Sequence, residues 1–283
     1  MKCRNVRISK VGLKITVSST SVKALEPNNV RHWRESILTQ FRKTEGAFCY
    51  NKSMDTKNLD IVYFVKDGTM NEELRYSLRS VAMNMPHKRV WIFGGCPTNI
   101  IPDVRVKVTQ IGKTKWDKVR NMYKMVCENK EITDNFIMFN DDFFVMKPTD
   151  HIDALYRCSL ADHIKILEPT KPSAYSRLLR DCQETLTGEP LSYELHIPFI
   201  FNKKNLLAML NSFPGQHCTR TMYGNIYNIG GKRSNDVKIF SVNPPFDFKD
   251  SRFLSTDDPI VNPNNDVWRW LTKTLNKKSE YEI

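Results

Sequence analysis

Phe136-Ile-Met-Phe-Asn-Asp-Asp-Phe-Phe-Val145 decides how this chain is read. Four large apolar residues, Phe136 to Phe139, match a short strand buried on both faces. They run straight into Asn140-Asp141-Asp142, and three more apolar residues follow. Side-by-side carboxylates between apolar flanks are costly to bury unless a cation or another counter-charge sits among them. Mg²⁺ and Mn²⁺ prefer hard oxygen ligands and share them with substrate phosphates. The expectation is therefore a divalent metal at Asp141 and Asp142. The other reading is a polar turn or cap closing the strand, where Asn and Asp are common.

Working outward, Asp60-Ile-Val-Tyr-Phe-Val65 reads as a second buried strand, closed by Lys66-Asp67-Gly68. The spacing of Leu74, Leu78, Val81 and Ala82 predicts a helix over 71–85, stopped by Pro86. Residues 89–93 form another apolar strand, ended by Gly94-Gly95; a short strand over 104–108 and a helix over 115–129 follow. Strands alternating with helices imply βαβ units, a mostly parallel sheet and right-handed crossovers. The expected class is a Rossmann-like α/β fold. Ligands of such sheets bind at the carboxyl ends of strands. Both polar clusters, Lys66-Asp67-Gly68 and Asn140-Asp141-Asp142, fall there.

The second half is less regular. Residues 152–161 and 173–186 read as helix or loop, 203–210 as a helix, and 266–275 as a short terminal helix. Residues 211–235, rich in Gly, Asn and Tyr, suggest a binding loop. At the other end, residues 4–18 read as a hairpin around Gly12 and 28–43 as a helix. A polar linker over 44–58 sets a boundary near residue 56. The chain then divides into a small basic appendage, 1–56, and a domain, 57–283.

Charge separates these parts. The chain has 283 residues and a net charge of +12; residues 1–50 hold ten Lys/Arg against three Glu, +7 of that total. A positive field of this size favours polyanionic partners, so the appendage is read as an acceptor-binding part, against the plainer reading of a solvated basic face. Seven cysteines form no C-x-x-C pair, which argues against a zinc site or a disulfide framework. A reducing, cytoplasmic setting is expected. No stretch approaches the roughly 18 apolar residues of a membrane span, and the first residues show no apolar signal-like run. Phosphate-loop, dinucleotide-fingerprint, zincin and nucleophile-elbow motifs are all missing from the sequence.

Single residues add candidates. Asp67 could hold a ribose, a sugar hydroxyl or an acceptor proton, or could simply close a turn. Arg75 and Arg79 share a helix face, and guanidinium forks suit a diphosphate; the alternative is an exposed charged face. His196 lies in apolar Leu195-His-Ile-Pro-Phe199 and could act as a base or be a satisfied core residue. Arg220 could meet a phosphate. Asp257-Asp258 reads as a helix start before Pro259.

Taken together, four blocks resemble the Stealth family of sugar-phosphate transferases, in the same order. Asp60 through Gly68 resembles its first region. Asn71-Glu-Glu-Leu-Arg-Tyr-Ser-Leu-Arg-Ser80 through Asp142 resembles its second. His196-Ile-Pro198 with the Arg220 segment looks like its third, and Phe253-Leu-Ser-Thr-Asp-Asp258 with Lys278-Ser-Glu-Tyr281 like the end of the same domain. The resemblance covers about residues 58–283. It implies a GT-A-like glycosyltransferase core, a divalent metal at Asp141 and Asp142, and active-site roles for Asp67, Arg79, His196 and Arg220.

The reading that follows is a metal-dependent transferase using Mg²⁺ or Mn²⁺ and a nucleotide sugar, a UDP-sugar by preference. Asp67, His196 and Arg220 are the catalytic candidates. Asp60, Lys66, Gly68, Arg75, Arg79 and Asn140 are the donor-binding candidates. The acceptor is a polyanion, either DNA carrying a hydroxymethylated pyrimidine, as in phage, or a capsule or cell-wall glycan. Hexose-1-phosphate transfer and plain glycosyl transfer both stay open. The rival is a nucleic-acid-binding protein without catalysis, which explains the charge but not the acidic pair.

Overall fold

The computed structural model describes residues 54–283, apart from 69, 110, 169–171, 216–217 and 242–247. The expected hairpin and helix of the basic appendage lie outside the described residues. Met54-Asp55 pairs with Ile152-His151, so the described fold begins slightly before the expected boundary.

Eight strands and seven helices organise these residues. In chain order they are β1 (Asp60–Val65), α1 (Glu72–Asn84), β2 (Val90–Gly94), β3 (Val104–Val106), α2 (Lys115–Glu128), β4 (Asn135–Phe139), β5 (Phe143–Val145), α3 (Leu160–Leu167), α4 (Ala174–Thr185), β6 (Phe199–Asn202), α5 (Lys203–Ser212), α6 (Thr219–Ile226), β7 (Lys238–Ile239), β8 (Phe253–Thr256) and α7 (Asp266–Thr274). Short two-residue pairings fill the connections. The fold is mixed α/β.

The central sheet has the order β6-β4-β1-β2-β3. Its last four strands in that order are parallel, and β6 pairs antiparallel with β4. The parallel part follows from the alternation of apolar runs and amphipathic helices. β6 runs against β4, so its last residue, Asn202, lies beside Asn135 at the start of β4, and α5 begins there directly with Asn202 as its N-cap.

Period-two alternation in β1 sends its side chains to two cores. Ile61, Tyr63 and Val65 pack with Leu74, Leu78 and Val81 of α1. Val62 joins Trp91, Phe93, Met122, Tyr123 and Val126 on the opposite face, beneath α2. Each fully buried side chain of this size contributes about 1.5–3 kcal/mol. Asn71 starts α1 as its N-cap, accepting from the Leu74 amide at 2.9 Å.

A second sheet, β7-β8-β5, grows from the same acidic turn. Phe144, Ile239 and Leu254 pack there with Tyr76 and with Trp268 and Leu271 of α7. The turn between β4 and β5 is tight, closed by the Phe143 amide donating to Asn140 O at 3.2 Å. Asn140-Asp141-Asp142 therefore sits where two sheets meet.

One expectation needs correcting here. Residues 211–235 are not a single loop, since α6 runs through them. Cys218, Met222, Tyr223 and Ile226 recur at helical spacing and are all buried. Gly224, which argued for a loop, is required by packing: a Cβ there would lie 2.4 Å from the Tyr193 ring.

Candidate functional site

The acidic turn stands at the carboxyl tip of β4, a neighbour of β1. Asp141 is reached by the capping residue of α1, with Asn71 Nδ2 donating to its Oδ2 at 2.6 Å. Asp142 Oδ2 accepts from Lys238 Nζ at 2.8 Å and from Ser255 Oγ at 2.7 Å. Asn140 is half-buried beside them. Their counter-charge in this structure is therefore a lysine on β7, which the sequence analysis did not single out.

A third carboxylate belongs to the cluster. Glu73, in the first turn of α1, accepts from Thr256 Oγ1 at 2.8 Å. Burial pushes its pKa up to about 7; the Thr256 bond opposes this, while Asp142, Asp141 and Asp258 add to it. Asp141 is also raised, first by burial, with the Asn71 bond opposing and Asp142 and Asp258 adding. Burial first, and the neighbouring carboxylates after it, make Glu73 and Asp141 hold their protons more tightly than free side chains do.

This has a measurable consequence. Glu73 keeps its proton longer in the native state than in the unfolded chain, whose value is near 4.5. Stability is then full below pH 4.5, falls as pH rises from 4.5 to about 7, and stays lower above. Glu73→Gln keeps an acceptor for Thr256 and carries no charge. It is expected to stabilise the protein at pH 8 by on the order of 2–3 kcal/mol in urea denaturation, with no gain at pH 4. An equal shift at both pH values would mean that Glu73 bears no such burden.

Beside the acidic turn stands a histidine–carboxylate pair. His196 Nδ1 lies 2.8 Å from Asp236 Oδ2, and the His196 amide donates to Asp236 Oδ1 at 3.0 Å. Arg157 Nη1 donates to the same Oδ2 at 2.9 Å. Burial alone would raise Asp236, but the bond and charge of His196 and the charge of Arg157 hold it down to about 2. A carboxylate at Nδ1 fixes the ring proton there and leaves Nε2 as the acceptor. The His196 side chain is 38% exposed. Its ring meets Phe143 edge-on at 6.4 Å, and Phe143 directly follows Asp142. Behind the pair, His163 is buried with Nδ1 at 2.7 Å from Ser192 Oγ. Burial, then Arg157 and His196, push it down to about 4, against the pull of Asp236.

Arg220 supports this loop. Its guanidinium is buried, with Nη1 donating to Leu195 O at 2.6 Å and Ile197 O at 2.8 Å, and it lies over the Phe143 and Phe199 rings. The structure thus gives it to the backbone on either side of His196, not to a phosphate.

Three donor-binding expectations are corrected. Asp60 lies at the amino end of β1, the wrong edge of the sheet for the site. It is fully buried, accepting from Arg89 Nε at 3.1 Å and from the Thr133 amide at 2.8 Å. Arg79 points to the chain's last residues. Its Nε and Nη2 each donate to Glu282 at 2.7 Å, and Nη1 donates to Leu275 O at 3.1 Å. Arg75 turns the same way, paired with Glu72 and 3.9 Å from Glu282. Both guanidiniums lie on one helix face, and what that face meets is a carboxylate of this chain.

Lys66, Asp67 and Gly68 are exposed at the carboxyl end of β1, on the same edge as the acidic turn. Their backbone lies on Gly95, where a Cβ would come within 2.3 Å of Lys66 O and 2.7 Å of Asp67 Cα. Glycine there lets this loop settle against the sheet's rim.

The functional groups the sequence analysis missed are Glu73, Asp236 and Lys238. Glu73 stood inside the Asn71-to-Ser80 block, yet an acidic first helical turn is ordinary capping. Nothing local marks Asp236 or Lys238. Among the described residues, no three His, Cys, Asp or Glu side chains stand in a metal-ligating arrangement. What the site does offer is two adjacent carboxylates, hard oxygen donors of the kind a cation completed by substrate phosphate would use, with Asp142 paired to Lys238 in this structure. The described residues include no helix long and apolar enough to cross a membrane. No protein-family model matches the chain, and no curated protein matches it.

Proposed function

We propose that this protein is a metal-dependent transferase that moves a sugar, or a sugar-1-phosphate, from a nucleotide sugar to a hydroxyl of a polyanionic acceptor. One observation carries the reading. Asp236 holds His196 while Lys238 holds Asp142. Two residues of chain span no more than about 7 Å, so one short segment anchors both the acidic strand tip and a histidine whose Nε2 has no partner among the described residues. A base and a carboxylate-bearing strand tip held by one short segment suit group transfer to a hydroxyl.

In this reading His196 takes the proton of the acceptor hydroxyl on Nε2, and Asp236 holds the ring in the tautomer that permits it. Asp141 and Asp142 would hold Mg²⁺ or Mn²⁺, which supplies neutralisation of the leaving nucleotide when bound. Lys238 pairs with Asp142 and adds positive charge next to the phosphates. Asp67, exposed on the neighbouring strand end, is placed to meet the sugar or ribose. Arg220 acts at one remove, by shaping the 195–197 loop. Four parallel strands with the acidic turn at a carboxyl tip support a GT-A-like core, in keeping with the Stealth resemblance.

The test is turnover. A panel of nucleotide sugars, UDP-sugars first, is incubated with Mn²⁺ and the release of nucleotide is followed. Wild-type protein is expected to release nucleotide from at least one of them. Asp142→Asn, which keeps the bond from Ser255, is expected to release it about 10²–10³-fold more slowly. Unchanged release in Asp142→Asn would remove the acidic turn from the chemistry.

A further inference from the structure

The edge strand β3 and the segment after it carry a run of exposed cations that the proposed chemistry does not use. Arg105 and Lys107 are exposed on β3 and just beyond it; Lys113 and Lys115 are exposed at the start of α2. None of the four forms an ion pair among the described residues, and the acidic residue that follows them, Asp117, is engaged by Thr114 in the α2 capping box. Edge strands often carry lysine merely to discourage pairing with other chains. That does not account for what stands next to this one.

At the end of the run, Trp116 stacks on Tyr175 of α4, with ring centroids 6.2 Å apart and planes 19° from parallel. Lys115 Nζ lies 4.4 Å from the Trp116 centroid. Tyr175 in turn meets the His163 ring at 6.1 Å. The cations therefore lead to an aromatic pair that packs onward against His163. Direction agrees: β3 is parallel to β2, with Val106 beside Phe93. Lys107 and the residues after it thus lie on the same rim of the sheet as Asp67 and the acidic turn.

We propose that this strip is a docking surface for single-stranded nucleic acid, with the backbone on the lysines and a base on the Trp116–Tyr175 platform. Alternating cations and a flat aromatic face match a chain of phosphates and π-faces. A polysulfated glycan would use the cations alone. The inference deepens the proposed function by naming its acceptor. Binding is measured without nucleotide sugar, so its failure and that of the transferase reading are told apart.

The experiment is fluorescence anisotropy of a labelled oligothymidylate with the full chain over a salt series, with heparin as a second ligand. K113E/K115E is expected to weaken oligothymidylate binding at least tenfold, with the slope of log affinity against log salt falling by about 0.7 for each cation removed. Trp116→Ala is expected to cost about tenfold in oligothymidylate affinity with the salt slope unchanged. Trp116→Phe, which keeps a ring, should recover most of it, and circular dichroism should be unaltered in all three. Heparin binding should be insensitive to Trp116→Ala. Oligothymidylate affinity unchanged in K113E/K115E and in Trp116→Ala would overturn the proposal. So would an equal loss of heparin and oligothymidylate binding in Trp116→Ala.

Discussion

Arg79→Ala is expected to cost the fold about 3–5 kcal/mol, the usual penalty for leaving one partner of a buried ion pair alone. Arg79 is 6% exposed, and Glu282 receives two of its N–H groups. A third arm holds the backbone at Leu275, and the guanidinium lies over the Tyr76 ring at 4.7 Å. Removing it strands a buried carboxylate and frees the end of the chain from α1. Arg79→Lys should recover little, because one ammonium cannot reproduce the fork. Urea denaturation at pH 7 measures the loss. Were Arg79 a diphosphate grip instead, the variant would keep its stability and show a raised KM for the nucleotide sugar.

His196→Ala is expected to lower kcat by about 10²–10⁴-fold, the range for losing a general base, with little change in KM. The side chain is 38% exposed, so its loss opens no sealed cavity. Asp236→Asn should also lower kcat, since an amide can present its N–H to the ring and favour the wrong tautomer. That variant should pay in stability as well. Asp236 is held at about 2, below the ordinary 3.8, so its contribution is present above pH 3.8 and is lost as pH falls toward 2. The stability gap between Asp236→Asn and wild type should therefore narrow in acid. Single-turnover kinetics together with denaturation at pH 7 and pH 3 separate the two effects. A kcat unaltered in both variants would leave the pair a structural bracket.

The parallel half of the sheet was legible because its strands announce themselves locally. Phe136 to Phe139 and Ile61 to Val65 are apolar runs bounded by turns, and the helix between β1 and β2 repeats Leu74, Leu78 and Val81 on one face. β5 and β8 were harder. Phe143-Phe-Val145 and Phe253-Leu-Ser-Thr256 are too short to carry a period of their own, and they become strands only because they pair with each other. The same distinction runs through the site. Asp141 and Asp142 stood out because apolar flanks make adjacent charges anomalous. Asp236 and Lys238 lie about a hundred positions along the chain, among ordinary polar residues, and gain meaning only when β7 is laid beside β8. Arg75 and Arg79 show the converse. Helical spacing places both on one face, but that the face meets Glu282 is set by tertiary packing that no spacing rule reaches.

The central claim is that the acidic turn and the His196 pair form one nucleotide-handling site, and calorimetric titration of UDP with and without Mn²⁺ tests it most directly. Wild-type protein should bind UDP in the presence of Mn²⁺ and much more weakly without it. Asp141→Asn should lose the Mn²⁺-dependent part, while His196→Ala should keep it. UDP binding that ignores Mn²⁺, or that survives Asp141→Asn unchanged, would contradict the account.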